Sequence, residues 1–383
     1  MTDSLFFSRD SKVYVAPLAA DGTEAGVWEI PVLDGFSFSQ ATNASEIALN
    51  EMNGGSNASR RGRKMFNNSL APAEWSFSTY ARPFVSAGTT NPVTAGVADS
   101  AENHHAVEEP LWAMMVGNGI QGVDGNGDAT HAFEGFTLGT DNLDIDFNSS
   151  NKTTLGKANI YFTLGTPGGT NSGTITYKIS NCCVNEVGLD FDIDGITTLN
   201  WSGMGTVIAE QASAPTATVY EKIGSTSNFI RNRLTELVAT STLPTSVGDY
   251  DLTLTGGSIT ISNNMTFLTP ETLGVVNTPL DHVTGTRSIS GSFSCYLNST
   301  AASSMDLFDN LISGTDTVTN DFSLTFKVGG ASGTPRMELT MPHCHLEIPT
   351  HSIEDVVSVE VNFNALGEHI DSTDELAIKY VGG

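Results

Sequence analysis

The chain has 383 residues, 43 acids against 17 bases, and a formal net charge of −26. Such a surface is a poor partner for bare duplex DNA, whose binding normally neutralises phosphates with Lys and Arg. Only 16% of residues are charged and the length supplies a real hydrophobic core, so a disordered polyelectrolyte is excluded and two or three folded domains are expected.

Met1 to Lys12, "MTDSLFFSRDSK", lacks a basic start followed by an apolar core, so no secretory signal is expected. No apolar run approaches the roughly 20 residues of a membrane span. Cys182, Cys183, Cys295 and Cys344 form no disulfide framework, which points to reduced thiols and a cytosolic folding environment. Matches to Asn-x-Ser/Thr, such as Asn57-Ala58-Ser59 and Asn298-Ser299-Thr300, read as chance in a chain rich in these residues.

Glycine at 38 positions, frequent Ser and Thr, and short alternating runs between turns predict a mainly β chain. In order come a strand, "KVYVAPLAA", and a long strand in "EIPVLDGFSFSQATNASEIAL" broken at Asp34-Gly35. A basic loop leads into a further strand in "RRGRKMFNNSLAPAEWSFSTYARPF". "EEPLWAMMVG" reads as a short amphipathic helix, and a strand-rich insertion runs from about 120 to 157. The strand "ANIYFTLG" and the segment "TYKISNCCVNEVGLDFDIDGITTLNWSGMG" follow.

The series then recurs as "RLTELVATS", "YDLTLTGGSITISNNMTFLTPETL", "TGTRSISGSFSCYLNS", "SSMDLFDNLISG", "FSLTFKVGG" and "RMELTMPHCHLEIPTHSIEDVVSVEVNFNALG". Shared order across so many segments predicts two tandem repeats, 1–210 and 211–383, each mainly β with one short flanking helix. Ser303 or Ser304 is the expected N-cap of the second helix and Gly314 its stop. "NFIRNRLTELVAT" also fits a helix through Ile230, Leu234, Leu237 and Val238, but the repeat makes its end a strand.

Within "VSVEVNFNAL", Val357, Val359, Val361 and Phe363 alternate with Ser358, Glu360, Asn362 and Asn364. That period of two predicts a strand with one buried and one wet face. Its counterpart alternates Leu199 and Trp201 with Thr198, Asn200 and Ser202. Asp190, Asp192 and Asp194 alternate in the same way with Leu189, Phe191 and Ile193.

Reactive motifs are weak. "DGNGDATHAFE" begins like a calcium loop, but Ala129 stands where Gly is required and Glu134 arrives one residue early. "MPHCHLE" puts His343 and His345 on one strand face with Cys344 on the other, short of the converging ligands a zinc site needs. These side chains read instead as hydrogen-bonding groups at a subunit contact. "ENHHAVEE", with His104, His105, Glu108 and Glu109, reads as an exposed polar helix start. With no nucleophile elbow, phosphate loop or dinucleotide fingerprint, the sequence predicts no enzyme, cofactor or metal site. Arg60, Arg61, Arg63 and Lys64 gather much of the positive charge in one loop, suited to an acidic patch on another copy of the chain; the alternatives are a nucleic-acid contact, for which no interleaved aromatic is present, or a solvated loop.

"IPVLDGFSFSQATNASEI", "RRGRKMFNNSLAPAEWSFSTYARPF", "ISNNMTFLTPETLG", "GTRSISGSFSCYL" and "HLEIPTHSIEDVVSVEVNFNALG" resemble the major tail tube proteins of tailed bacteriophages. The resemblance covers most of the chain outside the insertion. It implies a β-sandwich or split-barrel fold with a flanking helix, in rings of six fold copies that stack into a hollow tube conducting the DNA genome. Two copies per chain imply trimers with pseudo-sixfold symmetry.

The implied partners are the chain itself and other tail proteins, such as tape measure, terminator and baseplate or tail-tip proteins. DNA would pass the lumen without specific binding. The implied location is the virion, after assembly in the host cytoplasm. Thr198, Asn200, Ser202, Ser358, Glu360, Asn362 and Asn364 are the lumen-lining candidates. Arg60, Arg61, Arg63 and Lys64 are the subunit or inter-ring candidates. The competing class is a secreted carbohydrate-binding or adhesin β-sandwich, which the absence of a signal and the duplication disfavour.

Overall fold

The computed structural model describes residues 6–19, 22–24, 26–47, 53–54, 58–59, 64–86, 92–94, 97–98, 102–116, 133, 135–147, 155–165, 174–216, 223–241, 248–269, 279–313, 322–330, 335–353 and 356–382. The strands are β1 (Phe7–Pro17), β2 (Trp28–Ile30), β3 (Ser37–Ile47), β4 (Asn53–Gly54), β5 (Ala58–Ser59), β6 (Lys64–Tyr80), β7 (Pro83–Val85), β8 (Pro92–Thr94), β9 (Val97–Ala98) and β10 (His104–Ala106), followed by helix α1 (Glu109–Val116). Next come β11 (Phe136–Leu138) and β12 (Leu143–Asp146) of the insertion, then β13 (Ala158–Gly165), β14 (Ile175–Asp192), β15 (Thr198–Gly205) and β16 (Ile208–Gln211). The second half holds β17 (Glu236–Ser241), β18 (Asp249–Asp251), β19 (Leu254–Ser262), β20 (Thr266–Leu268), β21 (Asp281–Val283), β22 (Ser288–Tyr296), α2 (Ser304–Ser313), β23 (Phe322–Val328), β24 (Arg336–Leu346), β25 (Thr350–Ser352), β26 (Ser358–Leu366) and β27 (Ala377–Val381).

One pairing order occurs twice, antiparallel throughout. β1 pairs with β2 and β13, β13 with β14, β14 with β15 and β16, β15 with β6, and β6 with β3. Then β17 pairs with β18 and β23, β23 with β24, β24 with β26 and β27, β26 with β22, and β22 with β19. α1 lies in the chain between β6 and β13, and α2 between β22 and β23. "NFIRNRLTELVAT" ends in strand β17, because Leu237 and Ala239 alternate into the core.

The two series fuse along one seam. The second part of β14 pairs antiparallel with β19, from Glu186 opposite Ser262 to Asp192 opposite Gly256. Phe191 crosses this seam and meets the Phe326 ring at 5.5 Å. Phe326 in turn packs with Phe293 and Phe363. Each such fully buried side chain is worth about 1.5–3 kcal/mol over exposure. The insertion reinforces the join, since β12 pairs with β27 from Leu143–Tyr380 to Asp146–Ala377.

α1 departs from the amphipathic helix expected: all eight of its residues are buried. It is wedged between the halves, so it has no wet face to keep polar. Trp112 stacks edge-on to Trp201 and donates from Nε1 to the Tyr380 hydroxyl at 2.8 Å. Tyr380 donates onward to Glu108 at 2.7 Å. α2 keeps an amphipathic pattern, with Leu307 buried while Met305 and Ile312 are exposed. Ser303 holds the N-cap position, its carbonyl accepting the Leu307 N–H at 3.0 Å, but its side chain donates to the Asn298 carbonyl and that of Ser304 to the Tyr296 carbonyl, while the Asp306 carboxylate accepts the Ala302 N–H at 2.6 Å. Gly314 lies outside the described residues.

Candidate functional site

Eight strands make one continuous ladder in the order β3, β6, β15, β14, β19, β22, β26 and then β24–β25. Because side chains alternate and paired residues share a face, the register fixes what each face carries. One row runs Tyr80, Thr198, Asp190, Ser258, Ser292, Asn362. A neighbouring row runs Ser78, Asn200, Gly188, Thr260, Ser290, Asn364 and His345. The opposite face carries Phe77, Leu199, Leu189, Ile259, Phe293 and Val361, all buried.

All seven lumen candidates fall on the polar face, from half-buried Thr198, Ser202 and Ser358 to exposed Asn200, Glu360, Asn362 and Asn364. In β26 the alternation is complete, every second residue being buried. Glu74, Glu186, Asp190, Asp192 and Glu360 supply negative charge, and no Lys or Arg occupies these register positions. Asp194 lies beyond the end of β14, exposed, with Arg233 at 3.4 Å. The polar groups are partly engaged with one another. Ser78 donates to Asn200 at 2.7 Å, Asn200 to Asp190 at 3.3 Å, and Asn362 to Glu347 at 3.0 Å. Sequence reading missed most of this face, namely the serines at every second position of "SFSTY", "GSIT" and "SISGSFS". Their period of two was the available signal, muted because Ser carries little hydropathy contrast.

β3 and β6 continue past the ladder as a two-stranded arm, paired out to Ile47 opposite Lys64. Ile47, Met65 and Phe66 are 44%, 59% and 51% exposed there. Lys64 is exposed at the arm, and Arg60, Arg61 and Arg63 lie outside the described residues.

Three clusters resemble chemical sites. Cys183, His282 and Asp281 have the residue types of a catalytic triad, but the same ring atom, His282 Nδ1, faces both Cys183 Sγ (3.5 Å) and Asp281 Oδ1 (3.0 Å). The nitrogen nearer the thiol is the one the carboxylate already engages, and Nε2, which a relay would use, stands 3.9 Å from Sγ. Burial also pushes the Cys183 thiol well up, the reverse of activation. His343, Glu368 and Asp374 bring ligand atoms within 4.8 Å of one another at a partly exposed turn. His345 is exposed and Cys344 buried, opposite in direction as the alternation requires. The calcium-like Asp124, Asn126 and Asp128 lie outside the described residues.

The third cluster corrects the sequence reading. His104, His105, Glu108 and Glu109 are buried, not an exposed helix start. The wedge position of α1 encloses them. His105 Nδ1 lies 3.1 Å from Glu109. Glu108 accepts from the Arg82 backbone N–H and from Tyr380, and burial raises its carboxyl to about 7 against those hydrogen bonds. The Arg82 guanidinium holds the connection between the halves, donating to the Ser225 carbonyl at 2.9 Å and to Asn228, and stacking over Phe229.

A family model described as "Phage tail tube protein" matches residues 10–365. The chain is also similar to the tail tube protein pb6 of Escherichia phage T5, with 29% identity over 385 residues that cover 97% of this chain and 75% of that one. A match spanning nearly all of both halves, insertion included, leads to one assignment: the chain belongs to the phage tail tube protein family and is a structural protein of the virion.

Proposed function

We propose that residues 1–210 and 211–383 are two copies of one tail tube fold, and that three chains close into a ring whose polar sheet face lines the bore. The observation that carries this reading is the single eight-stranded ladder with one wet, acidic, Lys- and Arg-free face. Three such ladders joined end to end make a 24-stranded barrel, and closure removes the free strand edges that otherwise invite indiscriminate pairing. A carboxylate-bearing wall repels phosphate, and its mutually hydrogen-bonded Ser and Asn groups offer DNA few free donors. The genome then slides instead of sticking.

Stacked rings would be linked by the β3–β6 arm. Its exposed Ile47, Met65 and Phe66 supply apolar contact, and Lys64 with Arg60, Arg61 and Arg63 supplies charge complementary to an acidic neighbour. Tape measure, terminator and baseplate or tail-tip proteins are the expected further partners, with assembly in the host cytoplasm. Image reconstruction of the polymerised protein tests the reading. Hollow tubes with three chains per ring are expected; rings of six chains, or compact monomers at every concentration, overturn it. Replacing Arg60, Arg61, Arg63 and Lys64 by Ser should leave the monomer folded and shorten the tubes, and tubes of normal length at high salt would remove the loop from the contact.

A further inference from the structure

The seam inside the chain is a template for the contact between chains. Its two sides are the outer edge of β14 and the outer edge of β19. The topological counterpart of β19 is β3, which pairs with β6 alone among the described strands. The counterpart of the second part of β14 is β25, which pairs with β26 alone among the described strands. Each chain thus ends in one open edge of each kind, on opposite ends of its ladder.

The equivalence can be read residue by residue from shared partners. Asp190 lies opposite Thr198, and Ser352 opposite Ser358, in matching strands. Ser37 lies opposite Ser76, and Ser258 opposite Ser292, again in matching strands. Asp190 pairs with Ser258 across the internal seam. Substituting the counterparts gives Ser352 opposite Ser37, with His351 opposite Phe38 and Thr350 opposite Ser39.

Burial supports the same register. Phe191 is 2% exposed in the closed seam, opposite Gly257, whose missing side chain leaves room for its ring (an added Cβ would stand 2.6 Å from it). The matching position on the open edge is Ile353, 83% exposed, and it would face Phe36. Both pairings place apolar residues at this position of the seam, the open-edge pair being the bulkier of the two. The helices agree. α1, buried throughout, covers the closed seam, whereas its counterpart α2 leaves Met305 and Ile312 exposed beside the open one.

Resting on the tail tube reading, we infer that β25 of one chain pairs antiparallel with β3 of the next in the register Ser352–Ser37, with Ile353 against Phe36 and the apolar face of α2 covered by that neighbour. The occupant of this edge is a second copy of this chain, because the contact continues an interface the chain already makes with itself and is head-to-tail, the type that closes into rings.

Cysteine pairing tests the register. The four native thiols are buried, so mild oxidation reports introduced residues. Ser37→Cys and Ser352→Cys change two exposed serines by one atom each. Directly opposed Cβ atoms about 4.5–5.5 Å apart are within reach of a disulfide. Mixing the two single variants during polymerisation should give cross-linked dimers. The Ser39→Cys with Ser352→Cys mixture, displaced by two residues, should react at least about tenfold more slowly, since diagonal neighbours lie about 7–8 Å apart. A chain carrying both Ser37→Cys and Ser352→Cys should give a ladder ending at three chains. Ile353→Asp should leave the monomer's melting unchanged and abolish ring formation. Tubes that form without the Ser37–Ser352 cross-link, or with faster linkage of the displaced pair, overturn this register while leaving the tail tube reading intact. An unmodified chain that forms neither rings nor tubes defeats both.

Discussion

α1 and α2 occupy matching places in the chain, yet one is sealed and the other half wet. α1 meets β27 through Trp112 and Tyr380, and the second half through Asn263, whose amide donates to the Met115 carbonyl at 3.2 Å. α2 is held from one side, by Leu307 in the core and by Asn310 donating to the Tyr250 hydroxyl at 2.7 Å. The difference lies in what the neighbouring fold supplies: a partner in the same chain for α1, and none among the described residues for the outer face of α2. A buried helix and an amphipathic helix can therefore serve the same position in one architecture, distinguished by whether the partner is covalently attached.

Four experiments break or sharpen this comparison. The largest effect is expected from Trp112→Ala, which should cost the isolated chain about 3–5 kcal/mol in a urea melt. Ile312→Ala on α2 should change the same melt by less than about 0.5 kcal/mol yet reduce assembly. Equal losses would mean that the two helices are not in different situations.

Next is the buried carboxyl under α1. Glu108 titrates near 7 when folded against an ordinary 4.5, so the folded chain holds this proton more tightly than the unfolded one. Its contribution is full below pH 4.5 and is lost as pH rises to about 7. Glu108→Gln should therefore stabilise the chain at pH 8 by up to about 3 kcal/mol, at about 1.36 kcal/mol per pH unit of the window, and by nothing at pH 4. A variant whose stability tracks the parent at both pH values would show that the carboxyl is ionised without penalty.

Smaller still is a coupling between β6 and β15. In the first half Trp75 lies opposite Gly203, and in the second Gly291 lies opposite Phe363. A Cβ at either glycine would meet a backbone carbonyl oxygen most closely, that of Cys183 at Gly203 and that of Ser258 at Gly291, and the facing ring at 2.5–2.7 Å. Trp75→Gly and Gly203→Ala should each destabilise, and the double variant should fall short of their sum by about 0.5–1 kcal/mol, because losing the indole frees the ring contact while the Cys183 carbonyl contact stays, measured as a double-mutant cycle. Strict additivity would refute the exchange of large and small across this strand pair.

Least affected in stability should be Glu360→Lys, on the wet face of β26. It should melt within about 0.5 kcal/mol of the parent, yet slow DNA ejection from assembled particles, more so at low salt. Ejection at parental speed at two salt concentrations would take Glu360 out of the bore.

That exchange of Trp75–Gly203 for Gly291–Phe363 also explains what sequence reading could and could not reach. The strands β15 and β26 and their buried faces were legible because Leu199, Trp201, Val359, Val361 and Phe363 keep a strict period of two, which only one sheet face can satisfy. The wet face was legible at β15 and β26, where Asn and Glu stand against bulky apolar neighbours. It was illegible at β19 and β22, where Ser and Gly leave no contrast. The burial of His104, His105, Glu108 and Glu109 was out of reach, since their enclosure depends on β27, more than 260 residues away along the chain. Nothing local to "ENHHAVEE" announces a partner at Tyr380.

The connection clamped by Arg82 through Ser225, Asn228 and Phe229 has a consequence for assembly kinetics. A ring of six separate subunits needs five associations before it closes, each losing translational and rotational freedom worth an estimated 4–15 kcal/mol at standard concentration. In the proposed three-chain ring, with two fold copies on one chain, three of the six seams would form at folding, at an effective concentration independent of how much protein has accumulated. Two associations then remain. Ring formation should begin at lower protein levels and depend on concentration with a lower power, so that few copies suffice to nucleate a tube early in infection.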